Sequence, residues 1–146
     1  MEVQIDETAI CNGLTIKNPS STLDDKKNVQ WIVGGVDNSK AKNFFLTLVP
    51  NRKISTLLDV FEKNIMNKSI LITDGYPSYP SAVAKFGSDH KIVNHSEGFC
   101  NADGINTNSI ENIWSHFKKD YRERAGVKKE RITLFLKEFQ WKKQNL

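Results

Sequence analysis

A chain of 146 residues has the size of one domain, with room for a substantial core. Hydrophobic residues make up 38% and charged residues 26%, and no apolar run nears the roughly 18 residues of a membrane span, which excludes a disordered or membrane-spanning chain. The net charge of +4 only weakly suggests a polyanionic partner. Met1-Glu2-Val3-Gln4-Ile5-Asp6 has no basic region followed by an apolar stretch, so it is not a signal peptide and nothing argues for secretion. Cys11 and Cys100 stand far apart with no Cys or His at metal-ligand spacing, which excludes a zinc finger or ribbon and makes a reducing compartment the default.

In chain order, Val3 and Ile5 alternate with polar neighbours and predict a strand over Glu2 to Glu7, ending at the acidic pair Asp6-Glu7. Lys17 to Asn28 is polar and turn-rich, a surface loop. Trp31 to Val36 predicts a second strand, and Asn43 to Val49 a third, stopped by Pro50. Then the period changes: Ile54, Leu57, Leu58, Phe61 and Ile65 mark an amphipathic helix from about Lys53 to Asn67. The apolar run Ser69 to Thr73, closed by Gly75 and Pro77, reads as a buried strand with Asp74 at its carboxyl end, where open α/β sheets place ligands. A short helix from about Tyr79 to Phe86 tolerates Pro80 in its first turn. Lys91 to Asn94 predicts a fifth strand, and His95 to Thr107 a loop. Ile110, Ile113, Trp114, Phe117 and Tyr121 form the apolar stripe of a helix over Asn108 to Arg124, with Glu111, Ser115, Lys118 and Arg122 in a separate polar row. A last helix from about Lys129 to Trp141 buries Ile132, Phe135, Leu136 and Phe139. The order is that of a ribonuclease H-like α/β domain over 1–146: a mixed five-stranded sheet, three leading antiparallel strands and then alternating helices and strands.

On this scheme Asp6 and Asp74 end strands one and four, and share an edge if those strands are parallel neighbours. Glu111, in the first turn of the following helix, can approach the same edge. Three converging carboxylates need neutralising, and divalent metal with hard oxygen ligands does so, two ions serving an in-line phosphoryl displacement. Each residue also has a plainer account. Asp74 could open a turn with Gly75, Asp6 could be an exposed strand-end acid, and Glu111 could complete a capping box with Asn108. The basic residues from Lys118 and Lys119 through Arg122 to Arg131 could form a solvated helical face.

Ile5-Asp6-Glu7-Thr8, Trp31 to Asp37, Thr73-Asp74-Gly75-Tyr76-Pro77-Ser78-Tyr79 and Asn106 to Ser115 with Lys118 together resemble the catalytic domain of DDE transposases, specifically Merlin-type elements and their ISXO-like insertion-sequence relatives. The likeness extends to the ending Phe135 to Lys142 and covers nearly the whole chain. It implies that Asp6, Asp74 and Glu111 are the metal-binding catalytic triad, holding two Mg²⁺ ions for which Mn²⁺ can substitute. It also implies that Lys118 contacts DNA. Lys119 and Arg122 extend that basic helix toward phosphates, and His95 and Asn108 are expected to line the site. The implied reaction is hydrolysis at transposon ends, followed by attack of the freed 3′-hydroxyl on target DNA. Met1 lies only five residues before Asp6, so the DNA-binding region that such proteins carry before this strand is expected to be absent: the chain is a fragment, depends on a partner such as a separate DNA-binding subunit, or is a decayed or repurposed copy. A homo-oligomer is expected, in the nucleus of a eukaryote or with the nucleoid of a bacterium. The alternatives are a ribonuclease H-like nuclease and a non-catalytic DNA-binding protein derived from a transposase.

Overall fold

Strand β1 (Glu2–Cys11) is the centre of the sheet. The computed structural model describes residues 2–11, 14–16, 29–66, 69–93, 108–124 and 129–145. On one side β1 pairs antiparallel with β3 (Val29–Asp37), from Val3↔Asp37 to Cys11↔Val29. On the other it pairs parallel with β5 (Ile70–Thr73) over Glu2 to Gln4. The edges are β4 (Lys40–Val49), antiparallel to β3, and β6 (Asp89–Ile92), parallel to β5. The path β4-β3-β1-β5-β6 is the expected mixed five-stranded, ribonuclease H-like sheet. A short β2 (Leu14–Ile16) pairs with the far end of β1 where β5 has already ended.

Side chains on β1 alternate between faces, and this sorts the core into two layers. Val3, Ile5 and Ala9 join Trp31 and Val33 of β3 under α1 (Ile54–Asn64) and α2 (Ser78–Phe86). On the opposite face Ile10 joins Ile32 and Val36 under α3 (Asn108–Glu123) and α4 (Ile132–Asn145). The α3 stripe Ile110, Trp114, Phe117 and Tyr121 is buried throughout, each large side chain contributing about 1.5–3 kcal/mol against exposure. Phe117 is the hub of an aromatic cluster with Tyr121, Phe135 and Phe139.

Several boundaries differ from expectation: β3 and β4 begin earlier, at Val29 and Lys40, and α1 ends earlier, at Asn64. β1 runs on to Cys11 because Ala9 and Ile10 are buried on opposite faces of the sheet, so simple alternation stops marking the strand after Glu7. Strand β6 begins at Asp89 rather than Lys91, with its side chains largely at the surface. The last helix is preceded by a 3₁₀ turn over Lys129–Arg131 and extends to Asn145. The predicted loops Lys17–Asn28 and His95–Thr107 lie outside the described residues. At the free edge, α4 lies along β4: Gln140 and Gln144 each donate to the Phe44 carbonyl at 3.0 Å, and the Leu46 N–H donates to Gln140 Oε1 at 3.3 Å. Among the described residues, no helix is long and apolar enough to cross a membrane.

Candidate active site

The parallel pairing of β1 and β5 brings Asp6 and Asp74 together. Its last register pair is Gln4↔Ile72, and Asp6 and Asp74 each follow two residues later. Asp74 opens a tight turn in which Gly75 takes φ +83°, a conformation that side chains disfavour. The Tyr76 N–H donates to Asp74 Oδ1 at 3.1 Å, and the Gly75 N–H to Thr73 Oγ1 at 3.1 Å. The Thr73 hydroxyl is also hydrogen-bonded to His90 Nε2, at 2.7 Å. Burial pushes the His90 imidazole below its ordinary pKa and favours the neutral form. The turn reading of Asp74-Gly75 and the functional one are thus compatible: the turn aims the carboxylate.

Carboxylate oxygens of Asp6, Glu7 and Asp74 lie within 4.8 Å of one another. Burial pushes the Asp6 pKa well above the carboxylate range, and the charges of Glu7, Asp74 and Glu111 push it further. Glu111 therefore stands near enough, in the first turn of α3, for its charge to reach Asp6, although the tightest group has Glu7 in its place. Of the three expected acids, the fold gathers two at ligand distance of each other and sets the third beside them.

Glu7 was legible only as the neighbour of Asp6. Being one residue on, it points to the α1–α2 face and meets a different set of groups. Arg52, at the junction of β4 and α1, pairs with Glu7 Oε1 at 3.2 Å, and the Tyr79 hydroxyl donates to Oε2. The Arg52 guanidinium lies between two aromatic rings, 3.8 Å from the Trp31 centroid and 3.9 Å from that of Tyr76. Both tyrosines of the Asp74-Gly75-Tyr76-Pro77-Ser78-Tyr79 segment thus fasten that segment to β1. Burial and the Asp74 charge push Glu7 up to about 7, against the lowering pull of Tyr79 and Arg52.

On the other face, β1 and α3 are joined by two hydrogen bonds. The Trp114 Nε1–H donates to Asp6 Oδ2 at 3.1 Å, and the Ile110 N–H donates to Gln4 Oε1 at 3.1 Å. Gly34 is the partner of Asp6 across the β1–β3 pair. A Cβ there would stand 2.9 Å from both the Trp114 ring and Leu46, so the indole reaches Asp6 only because residue 34 has no side chain.

Lys118 and Arg122 share the helical row of Glu111, about 10 and 16 Å further along α3. Lys119 lies beside them and, like Arg122, is exposed. His95 and the Asn108 side chain lie outside the described residues, so the capping-box account of Glu111 does too. The adjacent acids at 6 and 7 and the paired tyrosines were the sequence signals for the Glu7 cluster. Arg52 and Gln4 carried none.

The family model for the ISXO2-like transposase domain matches residues 2–144. The chain is also 33% identical over 102 residues to an uncharacterized transposase-like protein of Haemophilus influenzae, covering 69% of this chain and 80% of that protein. No solved structure matches it. With an acidic edge built from parallel strands and a match along nearly its whole length, the chain belongs to the ISXO2-like transposase domain family.

Proposed function

We propose that this chain is the catalytic domain of a DNA transposase that cleaves transposon ends and joins them to target DNA by two-metal-ion phosphoryl transfer. The observation that carries the reading is the meeting of Asp6 and Asp74 from two parallel strands, in a cluster of carboxylates. The donor set is entirely hard oxygen, which suits Mg²⁺, with Mn²⁺ as a substitute. Asp6, Asp74 and Glu111 would hold two such ions. When bound, the ions supply Lewis acidity that activates the attacking hydroxyl or water and stabilises the leaving oxygen.

The protein's own contribution is positioning. Trp114 holds one oxygen of Asp6, and the Tyr76 N–H holds one of Asp74. Both oxygens of Glu7 are engaged, by Arg52 and Tyr79. That favours Glu7 as a brace for the Asp74 turn and leaves the third ligand position to Glu111. Asp6, drawn toward protonation by burial and then by the charges of Glu7, Asp74 and Glu111, would give up its proton on holding a cation. Lys118, Lys119 and Arg122 would contact DNA phosphates along α3. The family's partner is DNA, and two copies acting on two transposon ends fit the joining reaction.

The test is a Mn²⁺ titration followed by thermal unfolding of the wild type and Asp74→Asn, with DNA cleavage and strand-transfer assays alongside. Metal is expected to stabilise the wild type alone, and Asp74→Asn to bind DNA without cutting it. Equal metal response and equal cleavage by the two proteins would overturn the assignment. Salt-sensitive DNA binding without metal-dependent cleavage by the wild type would favour a non-catalytic DNA binder.

A further inference from the structure

We infer that Gln4 is the positioning residue for Glu111, a role that rests on the reading of Asp6, Asp74 and Glu111 as the metal-holding acids. Gln4 sits on the same face of β1 as Asp6 and is 1% exposed. Alternation on a strand ordinarily gives such a glutamine to solvent, yet here the tip of α3 covers it. Its Oε1 accepts from the backbone N–H of Ile110, the residue immediately before Glu111. The first four N–H groups of a helix have no intrahelical acceptor, and Ile110 is fully buried. Gln4 supplies the acceptor that water would otherwise provide.

The glutamine is itself fixed. Its Nε2 donates to Asn38 Oδ1, while Asn38 donates through its backbone to the Glu2 carbonyl at 2.9 Å and through Nδ2 to the Glu2 carboxylate at 3.1 Å. The orientation of the side-chain amide is therefore set by the β3–β4 turn, and it presents oxygen to the helix.

Gln4 and Asp6 are two residues apart on a strand, a rise of about 6.6 Å. Ile110 and Trp114 are four apart on a helix, a rise of about 6 Å. The near match lets Ile110–Gln4 and Trp114–Asp6 form together as two parallel rungs. With the buried stripe Ile110, Trp114, Phe117 and Tyr121, the two rungs fix the first turns of α3 over the sheet. With those turns fixed, Glu111 is held facing Asp6. Removing the Gln4 rung leaves the Ile110 amide without its acceptor and loosens the first turn of α3, which frees the Glu111 carboxylate to swing from the acidic edge.

The experiment measures Mn²⁺ dissociation constants by electron paramagnetic resonance on the full chain, for wild type, Gln4→Met, Gln4→Glu, Glu111→Gln, Asp74→Asn and the double variant Gln4→Met/Glu111→Gln. Groups that orient metal ligands typically affect affinity 10–100-fold, so Gln4→Met is expected to weaken binding about tenfold. Gln4→Glu keeps an acceptor for Ile110 but loses the Nε2 donor to Asn38, so it is expected to weaken binding less than Gln4→Met does. The double variant is expected to bind no worse than Glu111→Gln, because Gln4 acts through that residue; a purely structural defect would add its own factor. Wild-type affinity in folded Gln4→Met, with Asp74→Asn weakened, would overturn the role of Gln4 alone. Full additivity in the double variant would do the same. If Gln4→Met does not fold, folded Gln4→Glu decides, and a loss as large as that of Glu111→Gln would overturn the inference. Undiminished binding by Asp74→Asn would overturn both this inference and the reading of the acidic site.

Discussion

The ring of Trp114 occupies the space that a side chain at Gly34 would need, and from there its Nε1–H donates to Asp6, the residue paired with Gly34 across the sheet. A single glycine thus ties the packing of α3 to the orientation of a candidate catalytic carboxylate. Gly34→Ala is expected to cost about 1–3 kcal/mol, the usual range for overpacking a filled site. Urea denaturation measures it, and unchanged stability would show that the indole can retreat without loss.

Arg52 and Glu7 form a buried ion pair, their side chains 3% and 5% exposed. Removing one member of such a pair typically costs about 3–5 kcal/mol, whereas neutral replacement of both is often tolerated. Above pH 7, where Glu7 is ionised, Arg52→Met should therefore be severely destabilised, and Glu7→Gln/Arg52→Met should recover most of the loss. Equal stability of the single and double variants would mean that the lost stacking on Trp31 and Tyr76, rather than the stranded charge, dominates.

The acidic edge should make the metal-free protein lose stability as pH rises. Glu7, raised from 4.5 to about 7, and Asp6, also raised, hold protons in the fold that the unfolded chain releases. Their contribution is full below about pH 4.5 and declines through pH 7. His90, lowered by burial, acts in the opposite sense below its ordinary 6.5. Melting temperatures between pH 5 and 7.5 are therefore best compared between wild type and Glu7→Gln. The wild type should fall relative to the variant as pH rises, and parallel curves would refute the raised Glu7. Saturating Mn²⁺ should reduce the fall, since metal takes the place of the protons.

Lys119→Ala/Arg122→Ala should weaken DNA binding across sequences and flatten its salt dependence. Each lost phosphate contact removes about 0.9 from the slope of log affinity against log salt. Fluorescence anisotropy at several salt concentrations reads the slope, and an unchanged value would take the DNA path off this part of α3.

Much of this architecture was legible because period separates strand from helix. Three-residue and four-residue steps marked α1 and α3, and the unbroken run before Asp74 marked β5. Leu14–Ile16 was too short to show a period, and the far half of β1 was obscured because it is buried on both faces. At the site, Asp74 stood out as an acid following a strand, and Asp6 as an acid at an expected strand end, although β1 carries it mid-strand. Glu7 appeared merely as a second acid beside Asp6, since its partners Arg52 and Tyr79 lie far away in the chain. Gln4 resembled any polar residue on the wet side of a strand. Only the docking of α3 turns that side inward.

The glutamines of α4 that cover β4 bear on how copies of this chain can meet. An uncovered edge strand invites any other strand to extend the sheet, a form of association with little regard for side-chain identity. With Gln140 and Gln144 already bonded to the outward groups of Phe44 and Leu46, that generic route is shut along this stretch. Any meeting of copies at this edge would then depend on particular side chains, which mutation could tune.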